Sequence, residues 1–486
     1  GGSFQNRLRL LREVLEEAKE EAGNDMAVAL RFAVHELSGP KRILNTGEGR
    51  AVVEALADLP DLWDVNVSSW SRDSGTARYD AEGFQEEFTC FVKHVTKKPV
   101  LGVGRFTSPD AMVSQIKRGV LDLIGAARPS IADPFLPRKV AEGRIDDIRE
   151  CIGCNMCVAV ETIGVELRCT QNPTISEEWR RGWHPEKVPA TKQPEDVLVV
   201  GSGPAGLEAA LVLARAGHRV TVAERDSELG GRSAREARIK GLASTGRVKD
   251  YRLYQLRRMP NVSLFSDSEL DADAVMDFSA RHVLLAIGSP WRSDGAGRTR
   301  LTGIDGFAGA ALTPDDVMAN ENIEGPVVIY DDDHYYMANA LAAHLAAKGH
   351  EVHLVSPMPA LSAWLGHTLE QPRMLAEMKA AGVRMYPYHV AVSWGPDGLA
   401  VMRGDTGEPL PAIQAKTLIS VGTRLPDTGI SQALKGYGVA HRVIGDAECP
   451  GIIQAAVYSG HRHARELLGG EPDNRIFRRE RPTLFL

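Results

Sequence analysis

The stretch DVLVVGSGPAGLEAALVLARAGHRVTVAERD, residues 196–226, places this chain in the α/β class. It reads as a β-strand, a glycine turn, a helix and a second strand. Gly201, Gly203 and Gly206 form a G-x-G-x-x-G motif, which permits a tight turn, the approach of a pyrophosphate and close helix packing. Glu224, at the end of the second strand, can bind both ribose hydroxyls. The order and spacing of these features predict a Rossmann-like site for ADP or FAD.

Two later stretches extend this prediction. LLAIG (284–288) and IGDAE (444–448) are similar to the later glycine stretches in the FAD half of glutathione-reductase-like domains. They add Gly288, Gly445 and Asp446 to the candidate nucleotide-binding residues.

The segment GPVVIYDDDHYYMANALAAHLAAKGHEVHLVSP, residues 325–357, has the strand–helix–strand plan of a second nucleotide-binding unit. Where an NAD(P)H-binding reductase carries glycines, this segment has DDDHY, from Asp331 to Tyr335. Side chains in that turn would block a pyrophosphate, and three carboxylates would repel it. We therefore expect a degenerate domain that does not bind NAD(P)H.

The cysteines are concentrated upstream, in ECIGCNMCVAVETIGVELRCTQNP, residues 150–173. Cys151, Cys154 and Cys157 are three residues apart, and Cys169 follows after eleven intervening residues. Three thiolates on a tight loop and a fourth ligand arriving later suit a [4Fe–4S] cluster. Zinc is an alternative, although its sites usually come as two separated Cys-x2-Cys pairs, and four buried free thiols are another. The ligand spacing favours the cluster.

Residues 1–149 alternate strands with helices at the spacing of parallel βα units. The predicted strands are 26–33, 62–69, 99–106 and 121–129, and the predicted helices are 4–23, 51–59, 83–96, 109–119 and 134–143. Four strands are half of those in a (β/α)8 barrel, so we expect strands 5–8 of a barrel whose first half lies upstream of Gly1. A small open α/β sheet is the alternative.

Polar residues cluster where these strands end, as they do at the active face of a barrel. They are Arg31, Trp70 with Asp73, Gly104 with Arg105, and Arg128. The two arginines after the last two strands lie where barrel phosphate sites form, so we predict a flavin phosphate site there. The alternative is that these are ordinary residues of surface loops.

The predicted fold is therefore α/β, with the C-terminal half of a (β/α)8 barrel, a [4Fe–4S] loop and two Rossmann-like domains of the glutathione-reductase type. The predicted domains are the half barrel (1–149), the cluster segment and linker (150–190), the first part of the nucleotide-binding domain (191–324), the degenerate NAD-type domain (325–425), and the return to the nucleotide-binding domain with a C-terminal tail (426–486).

Charge and hydropathy narrow the possible partners and compartment. The formal net charge of -7 argues against general nucleic-acid binding, which requires a basic face. No apolar run approaches the roughly 18 residues that span a membrane, and no secretory signal opens the chain. Because a thiolate-rich metal loop suits a reducing compartment, we expect the cytoplasm.

The motifs together resemble a known family. KKPVLGVGRFTSPDAMVSQIKRGVLDLIGAARPSIADPFLPRK (97–139), CIGCNMC (151–157), CTQNP (169–173) and EEWRRGWHPEK (177–187) are similar to the trimethylamine dehydrogenase family. These are iron–sulfur flavoproteins of the old-yellow-enzyme superfamily, and GGSFQNR (1–7) resembles their segment after the fourth barrel strand. The resemblance implies FMN in the barrel, the cluster beside it, and ADP or FAD in the later domains.

The resemblance also implies roles for single residues. Arg31 corresponds to the arginine near N1 and O2 of the flavin, and Gly104, Arg105 and Arg128 correspond to the FMN phosphate loops. Trp70 and Asp73 match the family's substrate-side tryptophan and aspartate. An indole face attracts an ammonium group, and a carboxylate can pair with an amine or deprotonate it. A packed loop tryptophan with a solvated aspartate is the alternative.

One position departs from the family pattern. Trimethylamine dehydrogenase has a tryptophan four residues after the third cluster cysteine, whereas this chain has Glu161. Histamine dehydrogenase, a relative, also has an acidic residue there, which suggests a substrate with a second polar or cationic group. Arg72 beside Asp73 instead suggests a substrate carboxylate, as in the demethylases of dimethylglycine or N-methylproline, which residues 97–185 resemble most.

The leading hypothesis is an amine dehydrogenase or demethylase, with Trp70, Asp73 and Glu161 as catalytic candidates. It would oxidise an N-methylated amine or amino acid, release formaldehyde, and pass electrons from FMN through the cluster to an electron-transfer flavoprotein. By resemblance we expect a homodimer. The rivals are an NADPH-dependent enoate or 2,4-dienoyl-CoA reductase and an electron-transfer module without its own substrate site.

Tyr335 falls where the family has a tyrosine near its electron-exit patch, with an ordinary exposed tyrosine as the alternative.

Overall fold

The computed structural model describes residues 2–40, 42–68, 77–319 and 322–469. The chain divides into a first unit, residues 1–185, 235–251 and 291–424, and a second unit, residues 186–234, 252–290 and 425–486. Both units contain parallel sheets whose strands are connected through helices, which confirms the predicted α/β class. The predicted domain boundaries stay predictions. Within the described ranges, no helix is both long enough and apolar enough to cross a bilayer.

The elements up to residue 290 follow in chain order. Residues 2–190 form helices α1 (Phe4–Ala22), α2 (Glu48–Ala55), α3 (Glu86–Thr89), α4 (Val92–Val95), α5 (Pro109–Lys117), α6 (Ala127–Ala132), α7 (Leu136–Ala141), α8 (Met156–Thr162) and α9 (Glu178–Arg181), and strands β1 (Ala29–Glu36), β2 (Leu62–Ser68), β3 (Val100–Gly102) and β4 (Leu123–Ile124). Residues 191–290 form β5 (Asp196–Val200), α10 (Pro204–Arg215), β6 (Arg219–Ala223), α11 (Gly231–Glu236), α12 (Arg247–Arg257), β7 (Val262–Phe265), α13 (Ala272–Phe278) and β8 (His282–Leu285).

The remaining elements complete both units. Residues 291–424 form α14 (Pro314–Ala319), β9 (Val327–Asp331), α15 (Met337–Ala347), β10 (Val352–Val355), α16 (Gln371–Ala380), β11 (Arg384–Tyr386), β12 (His389–Gly395), β13 (Gly398–Arg403), β14 (Pro409–Ile413) and β15 (Thr417–Val421). Residues 425–469 form α17 (Gly429–Gly436), β16 (Arg442–Val443) and α18 (Ile453–Leu467).

Strands β1 to β4 form one parallel sheet in sequence order, which confirms the alternation of strands and helices expected before residue 150. Trp63 and Val65 of β2 are fully buried in a core that includes Leu8 of α1. Because side chains alternate along a strand, Asp64 lies on the opposite face, where its register partner is Arg31. The place of this sheet as strands 5–8 of a barrel stays a prediction.

Three predicted elements differ clearly in the structure. The strand predicted over 99–106 is only the three-residue β3. The single helix predicted over 83–96 is two short helices, α3 and α4, with Cys90 and Phe91 in the turn between them. The strand predicted over 121–129 is only the two-residue β4, and α6 begins at Ala127. Gly125 lies close against the neighbouring strand, because a Cβ there would be 2.6 Å from Val103 Cγ1. Arg128 therefore lies in the first turn of a helix.

The rest of the first unit is built on a second parallel sheet, in the order β11-β10-β9-β15, with an antiparallel sheet of β12, β13 and β14. The run β9–α15–β10 confirms the strand–helix–strand plan expected for 325–357. The turn after β9 is filled by its own side chains. Asp332 is fully buried and accepts hydrogen bonds from Thr299 N at 3.1 Å and Thr299 Oγ1 at 2.6 Å, while Asp333 pairs with Arg298 at 2.9 Å.

The buried position of Asp331, at the end of β9, predicts that the stability of the protein depends on pH. Its Oδ1 accepts hydrogen bonds from Asp333 N and His334 N, but its buried Oδ2 has no partner within the described residues. Burial raises the pKa of Asp331 to about 7, against about 3.9 for an unfolded aspartate. The folded state therefore binds the extra proton, so this group's contribution to stability is full below about pH 4 and is lost as the pH rises to about 7.

We expect Asp331→Asn to be more stable than the parent by about 2–4 kcal/mol above pH 8, with a difference that shrinks towards pH 5. The amide oxygen still accepts both backbone hydrogen bonds, and no charge is buried. Urea unfolding at about pH 5 and pH 8.5 measures this effect, with Asp333→Asn as the control that alters a partly exposed carboxylate. An identical pH dependence in Asp331→Asn and the parent would contradict it.

The second unit contains a five-stranded parallel sheet in the order β16-β8-β5-β6-β7. The run β5–α10–β6 confirms the strand–turn–helix–strand prediction for 196–226. Strand β5 is flanked by β8 on one side and β6 on the other, so the strand order reverses at β5. Ligands of such sheets bind beyond the carboxyl ends of the strands at this switch point, and the glycine motif begins at Gly201, directly after β5.

Candidate redox and nucleotide sites

Four cysteine side chains surround one small void in the first unit. Cys151, Cys154, Cys157 and Cys169 all line it. The loop that carries the first three turns sharply at Gly153, where φ is +67° and a Cβ would be 2.9 Å from Arg78 N. A residue with a side chain does not fit there, so the glycine is required for the loop to close around the void.

The chemistry of these thiols fits a metal cluster. Burial and the neighbouring thiols raise the pKa of Cys157 to about 12 and also raise the pKa values of Cys151 and Cys169. Soft metal ions replace such thiol protons on binding. Within the described part of the chain, no three His, Cys, Asp or Glu side chains could hold one common metal ion. A [4Fe–4S] cluster does not need such convergence, because each thiolate binds its own iron around a shared centre.

Arg128 lies at the same void, although the sequence suggested a place for it in a phosphate site. It lines the void together with the cysteines and donates a hydrogen bond from Nη1 to Asn155 Oδ1. Asn155 is buried in a left-handed conformation between Cys154 and Cys157, and its Nδ2 donates to Thr368 O at 3.0 Å. Arg128 therefore contributes a positive charge to the cysteine site, and its predicted contact with a flavin phosphate stays a prediction.

Arg105 lies beside the cysteine loop in a left-handed backbone conformation, with φ of 55°. Its Nη2 donates to Asp80 O, and its Nη1 would be 3.0 Å from a Cβ added to Gly153. Its buried Nε has no hydrogen-bond partner within the described ranges, which fits an anionic group beside it. Gly104 is in close backbone contact, because a Cβ there would lie 3.0 Å from Gly83 Cα. These residues fit a flavin phosphate without showing one.

Arg31 lies on the polar face of the first sheet. Its Nη1 is 3.5 Å from Asp64 Oδ2, and the guanidinium side chain is 58% exposed. With its amide oxygen turned towards this arginine, Asn66 accepts hydrogen bonds from Arg31 Nη2 at 3.1 Å and Nε at 3.3 Å. The fixed position of Arg31 suits the role near the flavin ring that the resemblance implies, and that role stays a prediction.

The predicted substrate residues are only partly visible. Trp70 and Asp73, with Arg72, lie outside the described residues. Glu161 is exposed near the end of α8, the helix that begins at the residue before the third cysteine. Cys157 and Glu161 lie on the same helix, so the helix fixes the position of Glu161 relative to this cysteine. The catalytic role of Glu161 stays a prediction.

The glycine motif of the second unit has the three local geometries that its chemistry requires. Gly201 has φ of +99°, and a Cβ there would be 2.4 Å from Ala286 O. Gly206 packs α10 so closely that a Cβ would be 2.0 Å from Gly201 O. Gly203 has open space where a Cβ would lie, which leaves room for a pyrophosphate at the start of α10.

Glu224 is fixed beside this motif. Its Oε2 accepts hydrogen bonds from Ser202 N at 2.8 Å and Ser202 Oγ at 2.7 Å, and its Oε1 accepts one from Asp226 N at 3.1 Å. The carboxylate thereby holds the glycine turn at the place where the sequence predicts a ribose. Ser202 was not among the predicted residues, because a serine within a glycine turn carries no separate signal.

The later glycine stretches also lie in the second unit. Gly445 has φ of +65°, and a Cβ there would be 2.5 Å from Ala205 Cβ, so the stretch packs against the start of α10. Asp446 is mostly buried, with Oδ2 3.3 Å from Arg232 Nη1. Gly288 has φ of +75° and open space around it. The contact of Gly445 with the start of α10 fits the predicted nucleotide site, whose occupant stays a prediction.

A buried ion pair next to the cysteine loop was not predicted. Arg78 Nε lies 3.2 Å from Glu370 Oε1, and both side chains are almost fully buried. Arg78 N also donates to Gly153 O at 3.0 Å. Tyr335 is partly buried, and the centre of its ring lies 4.7 Å from that of Tyr336. It is therefore less exposed than an ordinary surface tyrosine. No sequence motif joins residues 292 positions apart, so this pair had no local signal.

Three family comparisons match parts of the chain. Residues 1–147 match the NADH:flavin oxidoreductase / NADH oxidase family, residues 199–263 match the NAD(P)-binding Rossmann-like domain, and residues 312–393 match the OYE-like second alpha/beta domain. The first match indicates an FMN-binding domain, which contains the parallel sheet β1–β4. The second indicates a Rossmann-like nucleotide domain, which contains the end of β5 and all of β6 of the five-stranded parallel sheet.

Individual relatives are similar over nearly the whole chain. Dimethylamine dehydrogenase of Hyphomicrobium sp. (strain x) is 36% identical, with 98% of this chain and 69% of that enzyme covered. The 6-hydroxypseudooxynicotine amine oxidase structure from Pseudomonas geniculata N1 is 47% identical, with a TM-score of 0.91 over 96% of this chain and 71% of that one. The histamine dehydrogenase structure from Rhizobium sp. 4-9 is 43% identical, with a TM-score of 0.94 over 100% and 72%. The chain therefore belongs to the trimethylamine dehydrogenase family of flavoproteins and is an oxidoreductase of the group that acts on methylated and related amines.

Proposed function

We propose that this chain is an iron–sulfur flavoprotein dehydrogenase that oxidises an N-methylated amine or amino acid and releases the methyl group as formaldehyde. Electrons pass from FMN to a [4Fe–4S] cluster and then to an electron-transfer flavoprotein. The single observation that carries the proposal is the void lined by Cys151, Cys154, Cys157 and Cys169, in a chain whose first domain matches a flavin oxidoreductase family. The nucleotide-binding domain holds ADP or FAD, and the enzyme works as a homodimer.

The overall chemistry balances with water and the external electron acceptor as co-reactants. A carbon–hydrogen bond next to the amine nitrogen loses two electrons and a proton, the resulting iminium adds water, and formaldehyde and the demethylated amine separate. When bound, FMN supplies the two-electron acceptance, and the cluster supplies the single-electron steps to the external acceptor. The chain itself orients these groups, with Arg31 on the polar face of the first sheet and Arg105 and Arg128 beside the cysteine loop.

The turn after β9 supports an outward flow of electrons. A glycine turn in this place would admit the pyrophosphate of NAD(P)H. Here Asp332 is bound by Thr299 and lies against Gly297, whose added Cβ would be 2.1 Å from Asp332 Oδ2. Since the carboxylates fill this turn, we infer that an electron-transfer flavoprotein, and not NAD(P)H, exchanges electrons with the protein. An NADPH-dependent enoate reductase, by contrast, would have to bind NADPH.

A second candidate substrate is an amine that carries another basic group, as histamine does. Glu161 favours it, because an exposed carboxylate can pair with a second cation on the substrate. The identity of 43% to histamine dehydrogenase supports the same candidate. The two candidates share the flavin and cluster chemistry. They differ in the group that contacts Glu161 and in the product, since histamine has no N-methyl group to release as formaldehyde.

Anaerobic mixing tests the proposal. The purified protein with its cofactors is mixed with dimethylglycine, N-methylproline, trimethylamine, histamine or NADPH, and flavin bleaching and formaldehyde are followed. We expect an N-methylated amine to bleach the flavin and yield formaldehyde. Fast bleaching by NADPH, or none by any amine, would overturn the proposal. Bleaching by histamine without formaldehyde would favour the second candidate.

Glu161→Gln separates the two substrates further. If the substrate carries a second cation, the neutral amide removes its partner, and we expect KM for histamine to rise by about 3- to 10-fold while kcat changes little. For a monocationic N-methylated amine we expect no change in KM. Glu166→Gln, which alters a carboxylate that pairs with Arg168 on the same loop, is the control.

A further inference from the structure

A segment far away in sequence holds the backbone of the cysteine loop. Ser244 Oγ donates to Ile152 O at 2.9 Å, and Arg247 Nη1 donates to Cys151 O at 3.0 Å. Gln171, two residues after the fourth cysteine, donates from Nε2 to Glu150 O at 3.0 Å and to Arg247 O at 3.2 Å. Because these contacts occupy the carbonyl groups of residues 150–152, the loop is held with its carbonyls turned to this segment.

Arg247 also brings charge to the loop. Its Nη2 lies 2.8 Å from Glu150 Oε1, and Glu150 is the residue immediately before Cys151. Thr107 Oγ1 lies 3.2 Å from Arg247 Nη1 and 3.0 Å from Glu150 Oε1. About a third or less of each charged side chain is exposed, at 33% and 26%. A charge so close to the loop is incompletely screened by water.

We propose that Arg247 offsets the effect of the Glu150 carboxylate on the reduction potential of the cluster held by Cys151 and its three partners. Reduction adds one electron, so a nearby cation stabilises the reduced cluster and a nearby anion destabilises it. The two opposite charges of the pair have nearly cancelling effects on the potential. Each residue is a positioning residue that acts through the loop. The proposal rests on the proposed [4Fe–4S] function, and no motif in the sequence joins Arg247 to the cysteines.

Four forms of the holoenzyme test the proposal: the parent, Arg247→Gln, Glu150→Gln and the double variant. Their cluster midpoint potentials are measured at about pH 8 by redox titration followed by electron paramagnetic resonance, and their iron contents are measured by metal analysis. We expect the potential to fall in Arg247→Gln, rise in Glu150→Gln and return close to the parent value in the double variant. Arg247→Lys keeps the charge and should stay near the parent.

The double variant separates charge from structure. If Arg247 only held the carbonyl of Cys151, the double variant would shift as far as Arg247→Gln, and this result would overturn the proposal. Unchanged potentials in all four forms would also overturn it. Arg118→Gln, which removes an exposed partner of Glu86 elsewhere in the unit, is the matched control and should leave the potential unchanged. A parent protein that binds no iron would overturn the proposed function itself, and with it this inference.

Discussion

Cys157→Ala is expected to abolish iron binding and to stop electron transfer to the external acceptor, while substrate still reduces the flavin. The thiol of Cys157 lines the void that the other three cysteines share, so its loss leaves one iron of the cluster without a protein ligand. The substitution removes little volume, and Cys157 lies within α8, where alanine is favourable. The fold around the loop should therefore persist.

The measurement has two parts. Iron and acid-labile sulfide are quantified in the purified proteins, where the parent should hold about four irons per chain and the variant almost none. Substrate is then mixed anaerobically with each protein, and flavin bleaching is compared with the steady-state rate in the presence of an external acceptor. Bleaching should persist in the variant while steady-state turnover is lost.

Cys449→Ala is the control, because Cys449 is exposed and outside the loop. It should keep the iron and the turnover of the parent. Zinc in the parent in place of iron, or parent-like iron content in Cys157→Ala, would contradict the expectation. The first outcome would favour the zinc alternative, and the second would show that the four thiols do not act as one ligand set.

The sequence was informative where chemistry depends on local spacing. The cysteine loop and the glycine motif each lie within one short stretch, and the backbone geometry of Gly153, Gly201 and Gly206 follows from contacts that only glycine permits. The strand–helix–strand plans of 196–226 and 325–357 were likewise predictable, because hydrophobic periodicity is a local property of the chain.

Contacts between distant segments were not predictable in this way. Arg247 reaches Cys151 across 96 positions, and Glu370 reaches Arg78 across 292. Neither pair has a motif, since an arginine or a glutamate is usual on any helix surface. The sequence also placed Arg128 at the end of a strand, whereas it lies in a short helix beside the cysteines, because β4 is only two residues long.

Gly203→Ala is expected to empty the nucleotide site without destabilising the fold, whereas Gly201→Ala is expected to destabilise the fold. Gly203 has no atom within 4 Å of an added Cβ and no positive φ, so the free energy of unfolding should change by less than about 0.5 kcal/mol. The added methyl group would nevertheless occupy the space through which a pyrophosphate approaches the start of α10.

Gly201 differs from Gly203 in both respects. Its φ is +99°, and an added Cβ would be 2.4 Å from Ala286 O on the neighbouring strand connection. Backbone strain and overpacking together should lower the free energy of unfolding by about 2–5 kcal/mol. The pair of variants therefore separates the two uses of glycine in one motif, since one residue leaves room for the ligand and the other allows the turn.

Bound nucleotide is released by acid precipitation and quantified by chromatography, which also distinguishes ADP from FAD, and unfolding is followed in urea. Gly436→Ala is the matched control, because Gly436 lies in the same unit, has open space for a Cβ and has no positive φ. It should keep both the nucleotide and the stability of the parent. Parent-like nucleotide content in Gly203→Ala would show that the open space beside Gly203 is not where the pyrophosphate binds, and the predicted adenine nucleotide site would then have to be placed elsewhere.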